Sequence, residues 1–210
     1  MTLLKICGVT NVRDAQWVIG YADYVGVIVA SSIKTPRLVD EGTAREILRV
    51  VGRERAVAVI EGLKPQQAAR YASELGFSLV QYHNHVSRED LRVFGDYGIR
   101  VIPVITYNGQ CSLGKAIPPL LSLENVEYVL IDAPKVGFRM YEHGLKIPLS
   151  IISEASSMGR VGIAGGINPD NASLVMRYRP YLIDVSSGVE RTPGIKDEEL
   201  VRRLHRVVKG

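Results

Sequence analysis

The chain has 210 residues, 46% of them hydrophobic and 23% charged, with a net charge of +4 and a pI near 9.1. That length suits one α/β domain with a sizeable core, and a mild positive field favours a small anionic ligand over nucleic acid. Cys7 and Cys111 make neither a CxxC nor a metal-ligand spacing, charged Lys5, Arg13 and Asp14 interrupt any apolar leader, and no run is long enough to span a membrane, so a cytoplasmic protein without a disulfide framework is expected.

In chain order, β-rich runs alternate with stretches of helical period. The predicted strands are 3–7 (LLKIC), 24–29 (YVGVIV), 55–60 (RAVAVI), 79–83 (LVQYH), 100–105 (RVIPVI), 127–132 (EYVLID), 160–165 (RVGIAG) and 181–186 (YLIDVS). Between them lie the predicted helices VRDAQWVIG, EGTAREILRVVG, PQQAARYASELG, SREDLRVFGDYG, a poorly defined stretch near 113–124, PLSIISEASSMG, PDNASLVMRYR and KDEELVRRLHRVV. Several end in glycine, which suits a left-handed cap, and Pro65 and Pro169 suit first-turn positions. The basic C-terminal stretch RRLHRVVKG alternates with apolar residues like the solvated face of an amphipathic helix.

Eight strands, each followed by a helix, is the count of a (β/α)8 barrel filling residues 1–210 as one domain. The strands are apolar on both faces, as parallel strands buried between a barrel interior and an outer helical layer should be. A doubly wound open sheet is the alternative, and the count favours the barrel.

Two segments carry a phosphate signal. GIAGGINPDNA places Gly165 and Gly166 after strand 7, with Asn168, Pro169 and Asp170 reading as the start of a helix. IDVSSGVE places Ser186, Ser187 and Gly188 after strand 8. Glycines let backbone N–H groups approach an anion, and in barrels this pair of loops commonly forms a phosphate site.

Side chains two apart along a strand share a face. Lys5 and Cys7 therefore point together, as do Gln81 and His83, and Asp184 and Ser186, while Asp132 closes strand 6. If these faces turn inward, the C-terminal rim collects polar groups that a polar ligand would satisfy. Lys5 either stabilises the Cys7 thiolate or instead holds another inward carboxylate or simply fills the barrel interior. Arg37, after strand 2, is either a surface residue or a two-pronged grip for a carboxylate. His83 and His85 lack a third metal ligand, so no metal is expected.

KICGVT, TPR, QYH, LID, AGGINPDN, DVSSGVE and PGIKD, in that order, resemble the phosphoribosylanthranilate isomerase family of tryptophan biosynthesis. The resemblance covers nearly the whole chain. It implies an Amadori rearrangement without metal or organic cofactor, with Cys7 as general base and Asp132 as general acid. It implies that Arg37 holds the anthranilate carboxylate, and that the loops at Gly165–Gly166 and Ser186–Gly188 hold the phosphate. Lys5, Gln81, His83 and Asp184 would complete the substrate site. The expected partner is an anionic phosphosugar, with no nucleic acid or membrane, in a monomer or homodimer. The chain departs from the family's usual pattern at QYHN after strand 4, at Glu61 after strand 3 and in the loop APKVGFRMYEHG after Asp132.

Overall fold

A computed structural model of the chain describes residues 1–84 and 87–210. Eight parallel strands close into a barrel in sequence order: β1 (Leu3–Cys7), β2 (Tyr24–Ala30), β3 (Ala56–Ile60), β4 (Leu79–Tyr82), β5 (Arg100–Thr106), β6 (Val129–Asp132), β7 (Val161–Ile163) and β8 (Leu182–Val185). The open-sheet alternative is excluded, because β8 pairs back onto β1 with Lys5 opposite Asp184. The helices α1 (Val12–Val18), α2 (Glu41–Val51), α3 (Pro65–Leu75), α4 (Arg88–Asp96), α5 (Leu113–Leu121), α6 (Leu149–Ser156), α7 (Ala172–Met176) and α8 (Glu198–Lys209) alternate with the strands.

Two apolar clusters follow from the pleat. Leu4, Ile6, Val25, Val27, Ala58, Ile60, Val80, Ile131 and Ile183 point outward and pack with the helices. Their strand neighbours Val57, Leu79, Ile102, Tyr128, Leu130 and Leu182 fill the lower barrel interior. One position further along the same inward rows come Lys5, Gln81 and Asp184, all buried. The interior thus changes from apolar to polar toward the C-terminal ends of the strands, where enzymes of this architecture hold their sites.

Local chemistry sets the helix ends. Pro65 opens α3, and Gly76 closes it with φ +96°. Asp197 caps α8 by accepting from the Leu200 N–H, and Val201, Leu204 and Val208 bury one face. The rest of that helix's basic surface is largely solvated, as its pattern predicts.

Several boundaries differ from expectation, β7 covering only Val161–Ile163 of the predicted 160–165. The regular helix α7 begins at Ala172 rather than at Pro169. Asn168 still performs the capping chemistry, since its Oδ1 accepts from the backbone of Asp170 and Asn171 at 2.8 and 3.2 Å. β6 begins at Val129, two residues later than the sequence pattern suggests. The segment between β8 and α8 is no plain linker: a 3-10 turn (Ser187–Val189) leads into a small antiparallel hairpin, β9 (Glu190–Thr192) and β10 (Ile195–Lys196). Its tip is Gly194, at φ +89°.

Candidate active site

A cavity of about 390 Å³ opens at the C-terminal mouth of the barrel. Cys7, Arg37, Gln81, His83, Asp132, Gly165, Gly166, Asp184, Ser186, Ser187 and Gly188 all line it. The structure therefore gathers almost every residue singled out from the sequence. Lys5 is the exception: its ammonium lies fully buried beneath the floor of the cavity.

Lys5 Nζ donates to Asp184 Oδ2 at 2.8 Å. This contact follows from register, because the two residues face each other across β1 and β8. Lys5 also adjoins the thiol: a Cβ added at Gly26 would fall 2.8 Å from Cys7 Sγ and 3.1 Å from Lys5 Nζ. The two sequence readings of Lys5 thus merge in one group. Burial acts against its charge, but Asp184 and Cys7 together hold its pKa above the usual value. For Cys7 the balance runs the other way. Burial pushes the thiol up, and the Lys5 charge only partly offsets this. Lys5 favours the thiolate, yet Cys7 carries its proton at neutral pH.

A Lys5→Met variant leaves the Asp184 carboxylate buried without its cation, which costs about 3–5 kcal/mol at neutral pH. Denaturant melts check this, and adding Asp184→Asn should recover most of the loss. A Lys5→Met protein as stable as wild type contradicts the ion pair's role.

Asp132 ends β6, and its Oδ1 accepts from the Ala133 N–H at 2.7 Å. Protein surrounds the carboxyl, although part of its surface remains open to the cavity. Desolvation by burial pushes its pKa up to about 6. His83 is held neutral at physiological pH: burial pulls its pKa down to about 4, with Lys135 adding to the effect. His85, the other half of the histidine pair, lies outside the described residues. Among the described residues no group of three His, Cys, Asp or Glu side chains could hold a metal ion.

Two carboxylate or amide acceptors at the cavity, Gln81 Oε1 and Asp184 Oδ1, are buried without a protein donor. Such atoms are costly unless something donates to them.

The two glycine loops meet at one side of the mouth. Gly165 and Gly166 have φ of +96° and +81°, which favour glycine. A Cβ at Gly166 would lie 2.6 Å from the Gly144 carbonyl oxygen, and one at Gly188 would overlap the carbonyl of Ile167. The β7 and β8 loops are thus in backbone-to-backbone contact. Gly188→Ala must force them apart, so the KM for a phosphorylated substrate should rise at least about tenfold with the fold retained. Steady-state kinetics with circular dichroism checks this, and an unchanged KM removes these loops from phosphate binding.

Two of the departures from the family pattern meet here too. Lys135, in the loop after β6, lies 2.5 Å from Glu61, which follows β3. β3 and β6 stand three places apart in the ring, so this pair crosses the mouth. Burial opposes the charge on Glu61, but Lys135 holds its carboxyl below the usual range. Tyr82 points outward, packs at a tilt against Phe94 and donates to the Leu63 carbonyl, so that departure lies outside the cavity. Asn84 ties the turn at Gly62 and Leu63.

Several lining residues carried no usable sequence signal. Lys135 and Lys146 reach the cavity from an irregular loop, and Ser31 from the loop after β2. Glu190 and Lys196 stand out in the sequence only as letters within the motifs GVE and GIKD. In the structure they form a buried ion pair at 2.7 Å beside Arg37.

A closed parallel barrel with a polar, partly desolvated cavity at the C-terminal strand ends is the architecture of a (β/α)8-barrel enzyme. The family model for N-(5'-phosphoribosyl)anthranilate (PRA) isomerase matches residues 4–207. The chain belongs to that family. It is 40% identical over 208 residues to N-(5'-phosphoribosyl)anthranilate isomerase of Pyrobaculum aerophilum, covering 99% of each chain. It is 36% identical to that of Aeropyrum pernix, covering 97% of this chain and 96% of the relative. Among solved structures, phosphoribosyl anthranilate isomerase of Thermotoga maritima superposes with a TM-score of 0.81 at 28% identity over all of both chains. Another phosphoribosyl anthranilate isomerase, solved in complex with reduced 1-(o-carboxyphenylamino)-1-deoxyribulose 5-phosphate, gives a TM-score of 0.80 at 27% identity, again over both chains in full.

Proposed function

We propose that this barrel converts N-(5'-phosphoribosyl)anthranilate into 1-(2-carboxyphenylamino)-1-deoxyribulose 5-phosphate using Cys7 and Asp132 as its acid–base pair. Asp132 donates a proton to the furanose ring oxygen, and the C1–O bond breaks to give an open-chain Schiff base. Cys7 then takes the proton from C2, and the electron pair moves toward the imine nitrogen, forming an enolamine. Tautomerisation of the enolamine to the ketone completes the shift from aldose amine to ketose amine. Every electron that leaves C2 arrives at C1, so no external redox partner is required.

The single observation that carries this reading is the environment of Asp132. A carboxyl raised to about 6 keeps about a tenth of its population protonated at pH 7, on the order of a hundredfold more than an ordinary aspartate would. It shares one small cavity with the Cys7 thiol. The glycine loops after β7 and β8 hold the phosphate by their backbone N–H groups, with Lys146 adding charge at the same wall. Gln81 Oε1 and Asp184 Oδ1 accept from the ribose hydroxyls, which supplies their absent donors. Arg37 holds the anthranilate carboxylate, and His83, being neutral, contributes a hydrogen bond without charge.

The test is loss of anthranilate-type fluorescence when the protein is added to freshly generated phosphoribosylanthranilate. Turnover in the presence of a chelator is the expected result. No turnover at any enzyme concentration overturns the assignment, and activity abolished by the chelator overturns the metal-free mechanism.

A further inference from the structure

Arg37 reaches the cavity from the loop after β2, and both sides of its path are built. On one side is Gly8, where a Cβ would fall 2.7 Å from Arg37 Cδ. On the other is Glu190, at the start of β9. Arg37 Nε donates to Glu190 Oε1 at 2.8 Å and Nη2 donates to Oε2 at 2.6 Å. The same Oε1 accepts from Lys196 Nζ at 2.7 Å. Lys196 Nζ also donates to the Ser186 carbonyl at 3.2 Å, and its backbone N–H donates to Asp14 Oδ2 at 2.9 Å in α1. The Glu190 and Lys196 side chains are 4% and 0% exposed, whereas that of Arg37 is 22% exposed.

Two cations share one carboxylate, so the trio keeps one net positive charge, and only Arg37 brings it to the cavity wall. The fork to Glu190 uses Nε and one hydrogen of Nη2. Nη1 and the second Nη2 hydrogen remain, and together they form the other planar edge of the guanidinium, suited to a carboxylate.

We propose that Glu190, anchored by Lys196, is a positioning residue that presents the outer edge of Arg37 to the substrate carboxylate and ties that grip to the phosphate loop at Ser186. The proposal rests on the reading of Arg37 given above. Its physical basis is preorganisation. A free arginine must give up several rotatable bonds to bind, whereas one already forked onto a buried carboxylate gives up few. Because Lys196 bridges Glu190 and the Ser186 carbonyl, the grips on the two anionic ends of the substrate share a single anchor.

The test is the Kd of two ligands, reduced 1-(2-carboxyphenylamino)-1-deoxyribulose 5-phosphate and its phenylamino counterpart without the carboxylate. They are measured on wild type, Arg37→Ala, Glu190→Gln, Glu190→Asp and the Arg37→Ala/Glu190→Gln double variant. Arg37→Ala should weaken the carboxylate ligand about 30- to 100-fold and the carboxylate-free one less than about threefold. Glu190→Gln should weaken the first about tenfold and spare the second, with Glu190→Asp between it and wild type. On the Arg37→Ala background, Glu190→Gln should add less than about twofold.

If Arg37→Ala behaves as stated but Glu190→Gln weakens neither ligand, or weakens both alike, or multiplies with Arg37→Ala, the positioning role is wrong and the reading of Arg37 stands. If Arg37→Ala fails to discriminate the two ligands, the carboxylate grip falls and this proposal with it. Should Glu190→Gln not fold because Lys196 is left with an uncompensated charge, Glu190→Gln/Lys196→Met removes that charge and is judged by the same criteria.

Discussion

Cys7→Ser is expected to lower kcat by about 10²–10⁴-fold while KM changes less than about threefold. The hydroxyl matches the thiol in shape, but its far higher pKa leaves no base to take the C2 proton. Cys7 lies 7% exposed at the end of β1, and it carries no ion pair to an incoming anion, so ground-state binding has little reason to change. A Cys7→Ser enzyme retaining more than a tenth of wild-type kcat would remove the thiol from the mechanism.

The pH dependence carries a sharper signature. Asp132 titrates at about 6, and burial pushes the Cys7 thiol above its ordinary value of 9.0. The reactive form needs the carboxyl protonated and the thiol ionised, which is the reverse of the dominant state at neutral pH. Its share is constant between the two pKa values, about 10⁻³ or less of the enzyme for pKa values three or more units apart. In the free enzyme, kcat/KM should therefore be flat across neutral pH. It should fall tenfold per unit below about 6, as thiolate becomes scarce without further gain of acid. It should fall again above the thiol's pKa, where the remaining acid form is lost. Lys5→Met should move that upper limb further up, because the Lys5 charge favours the thiolate.

The second large effect belongs to Asp132→Asn. It removes the proposed proton donor, so kcat should fall about 10²–10⁴-fold. Residual activity should then lose the falling upper limb and rise with pH up to the thiol's pKa. The same substitution should stabilise the fold at high pH. A carboxyl whose native pKa is raised from 3.8 to about 6 contributes stability fully present below 3.8 and lost as pH climbs through 6. The amide that replaces it cannot ionise and keeps an oxygen for the Ala133 N–H. Relative to wild type, the variant should gain roughly 2 kcal/mol at pH 8, discounted for the side of the carboxyl facing the cavity, and nothing at pH 4. Denaturant melts at both pH values decide it. A gain at pH 4 as large as at pH 8 would contradict a raised carboxyl pKa.

On the proposed role of Asp132, catalysis and stability draw on the same desolvation. The barrel keeps Asp132 in surroundings that disfavour its charge, and the resulting proton affinity is what a general acid requires. Lys5 and Asp184 represent the opposite solution. Both are buried, and register across β1 and β8 lets each neutralise the other.

The sequence by itself determined the strands and their two faces. Strict alternation puts Lys5 with Cys7, and Asp184 with Ser186, on one side, because a pleated strand allows no other arrangement. It also determined the glycine loops, since Gly165 and Gly166 occupy backbone conformations that side chains resist. The resemblance carried by the motifs implied roles for Cys7 and Asp132 that spacing alone could not. Only the tertiary structure decided which cation meets which anion. Glu190 lies 153 residues from Arg37, and Glu61 lies 74 from Lys135, and nothing local relates either pair. It also decided how far burial shifts Asp132 and Cys7, because desolvation is set by everything packed around a group rather than by its neighbours in the chain.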